Sequence, residues 1–136
     1  MAFRLPGGIL TSNQLVGLAE SVYGYKHTQY LAQLFQALRI AVNNELASLE
    51  HFLATAPSLL KPGGVLAVMS YHSLEDRMVK HTFKELTSGV IDQFTGKESA
   101  PAEYILLTKK PVKAKDDEIR KNGRARSAVL RALRKP

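Results

Sequence analysis

The chain has 136 residues, 45% of them apolar, a net charge of +7 and no cysteine. That length suits one domain with a real core, and the missing thiols exclude disulfides and thiolate metal centres. No apolar run approaches the ~20 residues of a membrane span, and "MAFRLPGGIL" lacks the apolar centre of a secretory leader, so no membrane role is expected and the cytoplasm is the expected compartment.

Residues 1–10 read as a loose lead-in. "TSNQ", Thr11 to Gln14, is a capping box, and a helix bearing Leu15, Leu18, Ala19 and Val22 should follow and end near Gly24. The strongest periodicity begins at His27–Gln29. Leu31, Phe35, Leu38, Val42, Leu46, Leu49 and Leu53 predict one face of a long amphipathic helix over about 28–54, as one piece or as two in tandem. Pro57 opens a short turn, and "KPGG", Lys61 to Gly64, stops the helical pattern.

"VLAVMS", Val65 to Ser70, is apolar on successive residues, which predicts a strand inside a covered, parallel sheet. A second capping box, Ser73 with Asp76, should start a helix that runs to about Leu86. Glu75 and Asp76 suit its first turn, where the dipole favours acids. Residues 87–102 read as a surface loop, Tyr104–Leu107 as a short strand, and Ser127–Leu133 as a last strand. A helical turn at Asp116–Arg120 interrupts the charged connector. The fold class is therefore α/β.

The basic charge lies at the C-terminus. Lys109–Pro136 holds 11 Lys and Arg against 3 Asp and Glu, whereas Met1–Thr108 holds 8 against 9. Such a segment favours polyanions, of which the nucleic-acid backbone is the commonest large one. A solvated tail has the same composition.

Three stretches are candidates for chemistry. Ser70, Tyr71 and His72 occupy the carboxyl end of a strand, where open α/β sheets bind ligands. Tyr71 offers a stacking face and His72 a proton near neutral pH. Helix capping and dipole compensation explain "SYHSLEDR" equally well. In "NGRARS", Arg124 and Arg126 on an extended chain would point the same way, as a phosphate requires; an ordinary basic loop is the alternative. In "FQALRIAVNNEL", Arg39 and Asn43 lie on a helix otherwise built for packing, and a hydrogen-bond network at the core edge accounts for them. The four histidines (27, 51, 72 and 81) show no metal-ligand spacing, and no glycine pattern makes a phosphate-cradling loop.

Together, "FQALRIAVNNEL", "LLKPGGVLAVMSYHSLEDRMVK" and "NGRARSAVLR" resemble, in order and spacing, the C-terminal half of the ribosomal RNA small-subunit methyltransferase H (MraW/RsmH) family. The resemblance extends over nearly all of the chain from about Thr11. It implies the C-terminal part of a class I, Rossmann-like sheet, with strands near 65–70, 104–107 and 127–133, the last two antiparallel. Residues 1–34 would be the lead-in and the end of a helical insertion, and 35–136 the C-terminal part of the methyltransferase domain. The implied reaction is methyl transfer from S-adenosylmethionine to N4 of a cytosine in the decoding centre of small-subunit rRNA. Ser70, Tyr71, His72, Ser73 and Arg77 would line the target-base side. Arg124, Arg126 and Ser127 would meet RNA, and Arg39 and Asn43 would brace the loop after the 65–70 strand.

The family's cofactor pocket uses a Gly-Gly-His loop, acids after early strands, and a Ser-Ser-Pro motif. None has a counterpart here, and no cofactor-binding residue carries over. The expectation is a fragment, truncated or re-started, inactive alone. Its partners would be small-subunit rRNA and either a missing N-terminal half or a second copy joined through the exposed 65–70 edge. A non-catalytic RNA-binding or assembly module and a decayed gene fragment are the alternatives. Gly123 stands where the family usually has proline, which loosens the loop before Arg124.

Overall fold

The computed structural model describes residues 8, 11–23, 28–91 and 98–136. Gly24, His27, most of the lead-in and the middle of the 87–102 segment lie outside them. The fold is mixed α/β and divides into two compact units, Met1–Glu45 and Leu46–Pro136.

The first unit is helical, with α1 (Ser12–Tyr23) and α2 (Thr28–Asn43). The Thr11 capping box forms as read: the Thr11 amide donates to Gln14 Oε1 at 3.1 Å, and the Gln14 amide donates to Thr11 Oγ1 at 3.3 Å. The long periodic stretch is not one helix. Asn44 adopts a left-handed φ of 52° and separates α2 from α3 (Glu45–Thr55). Asparagine is among the few side chains that tolerate this region. The apolar stripe runs straight through the break, so periodicity could not locate it. Phe35, Leu38 and Val42 on α2 remain exposed.

The second unit is built on a sheet. A 3₁₀ turn at Ala56–Leu59 has Pro57 near its start. Then Lys61–Gly64 makes a tight turn. The Gly64 amide donates to the Lys61 carbonyl at 2.8 Å, and Gly63 takes a φ of +80°, which glycine adopts without strain. A Cβ on Gly64 would sit 2.8 Å from the Lys61 carbonyl oxygen, so that position also requires glycine.

The turn launches β1 (Val65–Ser70). α4 (Ser73–Leu86), β2 (Val90–Ile91), β3 (Glu98–Ala100), β4 (Ile105–Leu106), β5 (Val112–Lys113), α5 (Asp116–Lys121), a 3₁₀ turn at Gly123–Ser127 and β6 (Val129–Arg134) follow. The main sheet has the order β1-β6-β4, with β5 also on β6, and every described pair is antiparallel. The parallel setting expected for Val65–Ser70 is therefore corrected. The covered setting is corrected as well, since Val65, Ala67 and Met69 are exposed: an apolar run specifies neither burial on both faces nor strand direction. Within 87–102, the expected loop contains the antiparallel pair β2–β3. The last strand starts at Val129 rather than Ser127, because the 3₁₀ turn takes up residues 123–127.

One face of the sheet carries the core. Leu53, Val68, Val79, Phe83, Tyr104 and Leu133 cluster there, with Leu66 and Leu106 packed against them. Alternation places Leu66, Val68 and Ser70 on the α4 side, and Val65, Ala67 and Met69 on the other. Val65 and Met69 are 51% and 53% exposed, and Ile105 and Val112 are exposed too. Among the described residues, β1 pairs on one side only.

Candidate functional site

The β1–β6 register brings two of the three sequence motifs together. Ser70 stands opposite Val129. The carboxyl end of β1, leading into Tyr71–Ser73, therefore meets the amino end of β6, which is fed by the 123–127 turn.

The loop after β1 is held by Glu75. Its Oε2 accepts the amides of Tyr71 at 2.9 Å and His72 at 3.3 Å, and the Glu75 amide donates to His72 Nδ1 at 3.4 Å. This is a reciprocal capping box on His72 and Glu75. It corrects the expected Ser73–Asp76 box: Ser73 is the first helical residue, exposed, and His72 caps. Because His72 Nδ1 accepts, a neutral imidazole carries its proton on Nε2. Nε2 lies 3.1 Å from Glu75 Oε1 but in poor alignment, so this buried atom makes no hydrogen bond among the described residues. Ser70 is 2% exposed, and its hydroxyl lies 3.5 Å from the Val129 carbonyl. Tyr71 is exposed at this end of the sheet.

Arg77 is exposed one turn beyond Ser73, on the same face of α4. It lines a groove with Leu53, Ala54, Met78, His81 and Glu85. The structure thus gathers Ser70–Ser73, with Arg77 one helical turn further along and bordering the α3–α4 groove.

The 123–127 turn is 3₁₀, not extended. Asn122 opens it by accepting the Arg124 amide at 3.1 Å, and Ala125 is buried beneath it. Successive residues of such a turn are about 120° apart, so Arg124 and Arg126 diverge rather than align. Both are exposed, as is Ser127, and neither guanidinium has a carboxylate partner among the described residues.

In the first unit, Arg39 and Asn43 both close on Glu45. Arg39 Nε lies 3.0 Å from Glu45 Oε1, and Asn43 Nδ2 donates to the same oxygen at 3.1 Å.

Sequence reading missed the pair that locks α4 to the sheet. Arg131 Nε and Nη2 donate to Asp76 Oδ1 and Oδ2 at 2.7 and 3.0 Å. This two-pronged bond fits a planar guanidinium on a carboxylate. Arg131 is 8% exposed. The bond from Arg131 holds the Asp76 carboxyl below its ordinary value against the opposing effect of burial, with added attraction from Arg131, Lys80 and Lys113. The available signal was a lone arginine in the apolar run "SAVLRAL": a cation on a core-facing strand position requires a counter-charge.

Comparison with known proteins places this α/β build among the methyltransferases. The chain belongs to the MraW methylase family, whose model matches residues 7–136. It is 46% identical over 134 residues to the "Ribosomal RNA small subunit methyltransferase H" of Chlorobium phaeovibrioides, covering 95% of this chain and 41% of that protein. It is 54% identical over 101 residues to the protein of that name from Sorangium cellulosum, covering 74% and 27%. The corresponding figures for Chlorobium phaeobacteroides are 42% over 141 residues, 97% and 42%. The chain thus spans less than half the length of these relatives. No described helix is long and apolar enough to cross a membrane.

Proposed function

We propose that this chain is the acceptor-facing, C-terminal part of a cytoplasmic enzyme that transfers a methyl group from S-adenosylmethionine to N4 of a decoding-centre cytosine in small-subunit rRNA, and that alone it does not complete the reaction. The observation that carries this reading is the Ser70–Val129 register. It sets "SYHS" and "RARS" at one end of the sheet in a chain of the MraW methylase family.

Residues 1–34 are read as the end of an inserted helical region and 35–136 as the C-terminal part of the methyltransferase domain. Ser70, Tyr71, His72, Ser73 and Arg77 are assigned to the target-base side, with Tyr71 as the stacking face and Ser70 supporting the loop from beneath. Arg124, Arg126 and Ser127 are assigned to RNA, and Arg39 and Asn43 to bracing. N4 of cytosine is a weak nucleophile because its lone pair is delocalised into the ring, so the task is positioning an extruded base. The bound donor would supply an electrophilic methyl group. No residue here is assigned to its adenosyl part, because the sequence has no counterpart of the Gly-Gly-His loop or the Ser-Ser-Pro motif. The edge of β1 that has no partner among the described residues is assigned to a strand from the remainder of a full-length enzyme or, without it, to a second copy of this chain.

A non-catalytic RNA-binding role is the second reading, favoured by the two unneutralised arginines of the 123–127 turn. Calorimetric titration with S-adenosylmethionine, paired with methyl transfer to unmodified small ribosomal subunits, tests the proposal. The chain alone should give no binding heat and no transfer, yet bind rRNA. An Arg124→Ala/Arg126→Ala variant should bind RNA more weakly, with a salt slope lower by about 1.4. Stoichiometric donor binding by the chain alone would overturn the division of labour. RNA affinity and salt slope unchanged in the double variant would remove the arginine assignment.

A further inference from the structure

α4 carries a second cationic feature that the arginine turn does not include. A cavity of about 190 Å³ is lined by Lys80, Phe83, Lys84, Leu106, Lys109 and Arg131. Its floor is apolar: Phe83 is fully buried and Leu106 packs against the core. Its rim is cationic. Lys80, Lys84 and Lys109 are exposed; Lys80 attracts Asp76 without a close ion pair, and neither Lys84 nor Lys109 has a carboxylate partner among the described residues. Lys113 adds to the field, because its register opposite Val129 places it on the α4 side of the sheet, where it acts on Asp76. The acid within this group, Asp76, is already engaged by Arg131.

Local stability accounts for part of this arrangement: Lys80 attracts Asp76 one turn before it, and Lys84 sits in the last turn of α4, where the helix dipole favours a cation; what remains is the repulsion between the two lysines. Lys80 and Lys84 are one turn apart, and like charges at that spacing oppose the helix. A bound anion removes the repulsion. Four residues of helix rise about 6 Å, so the two ammonium groups can meet neighbouring phosphates of one strand. Arg131 lines the cavity with its guanidinium engaged by Asp76 through two N–H donors.

We propose that Lys80, Lys84 and Lys109, set over the Asp76–Arg131 pair, form a phosphodiester-binding cleft for the RNA backbone, separate from the Arg124–Arg126 turn. This rests on the RNA reading above and extends the contact onto the flank of α4. An acidic protein fits less well. Protein interfaces centre on a protruding or accessible apolar core, and here the aromatic residue is buried beneath the lysines. Lysine point charges without a free planar fork suit phosphate oxygens rather than paired carboxylates.

Fluorescence anisotropy on the full chain with a fluorescein-labelled hairpin of small-subunit rRNA, across a potassium chloride series, tests this. The variant is Lys80→Gln/Lys84→Gln/Lys109→Gln, and Lys61→Gln/Lys115→Gln/Lys121→Gln is an equal change of charge elsewhere. Circular dichroism checks that both fold. The cleft variant should bind roughly 10- to 100-fold more weakly, with a salt slope lower by about 2, and the control should lose much less. Unchanged binding by the cleft variant, with a loss in Arg124→Ala/Arg126→Ala, would overturn the cleft and leave the RNA reading standing. No RNA binding by the unaltered chain would overturn both. An equal loss in the control would reduce the cleft to diffuse charge, and displacement of the RNA by polyglutamate at equal charge concentration would reassign it to an acidic protein.

Discussion

Replacing Asp76 with asparagine would leave Arg131 buried without its counter-charge. The expected cost is roughly 2–3 kcal/mol, below that for a fully enclosed pair because Asp76 is 25% exposed. Urea denaturation measures it. Asp76→Leu with Arg131→Met should recover most of the loss, since both charges then leave together. The pH dependence has a fixed sign. The folded Asp76 carboxyl titrates below its unfolded value of about 3.9. Its contribution is complete above that value and lost as pH falls through the lower folded one, so the difference between wild type and Asp76→Asn should shrink only in strong acid. The sequence displayed Asp76 as an acid in the first turn of a helix. Its partner, 55 residues away, follows from strand register and could not be read from local pattern.

At the scale of elements, periodicity and turn chemistry were legible and local breaks were not. "TSNQ", "KPGG" and the helix ending at Leu86 declare themselves through short-range bonding. Asn44 does not, because one left-handed residue leaves the apolar spacing on either side intact. The 123–127 segment misled for a related reason: alternating arginines suggest extension, but Asn122 and buried Ala125 wind it into a 3₁₀ turn. This turn permits a direct test of Gly123. A Cβ there meets nothing within 4 Å, and Asn122 has an extended backbone, φ −138° and ψ 95°, compatible with a following proline. Gly123→Pro should stabilise the chain by about 0.4–1 kcal/mol by restricting the unfolded state. Thermal unfolding would show it as a raised midpoint.

For the molecule as a whole, the family was legible from three motifs, and so was the candidate end of the sheet. The antiparallel direction of β1 was not, because direction depends on which neighbours are present. The apolar flank of β1, which has no partner among the described residues, should associate with another edge. Light scattering should show mass rising with concentration, and Met69→Lys should suppress it; a wild-type chain that stays monomeric at high concentration would count against this use of the edge. The uncovered sheet face has a thermodynamic consequence as well. Val65, Met69, Ile105 and Val112 already contact water in the native state. Melting therefore hydrates less new hydrocarbon than a chain of this length normally would, which lowers the heat-capacity increment and the denaturant sensitivity. The curve of stability against temperature should be correspondingly flat, and differential scanning calorimetry would show it as a small heat-capacity step.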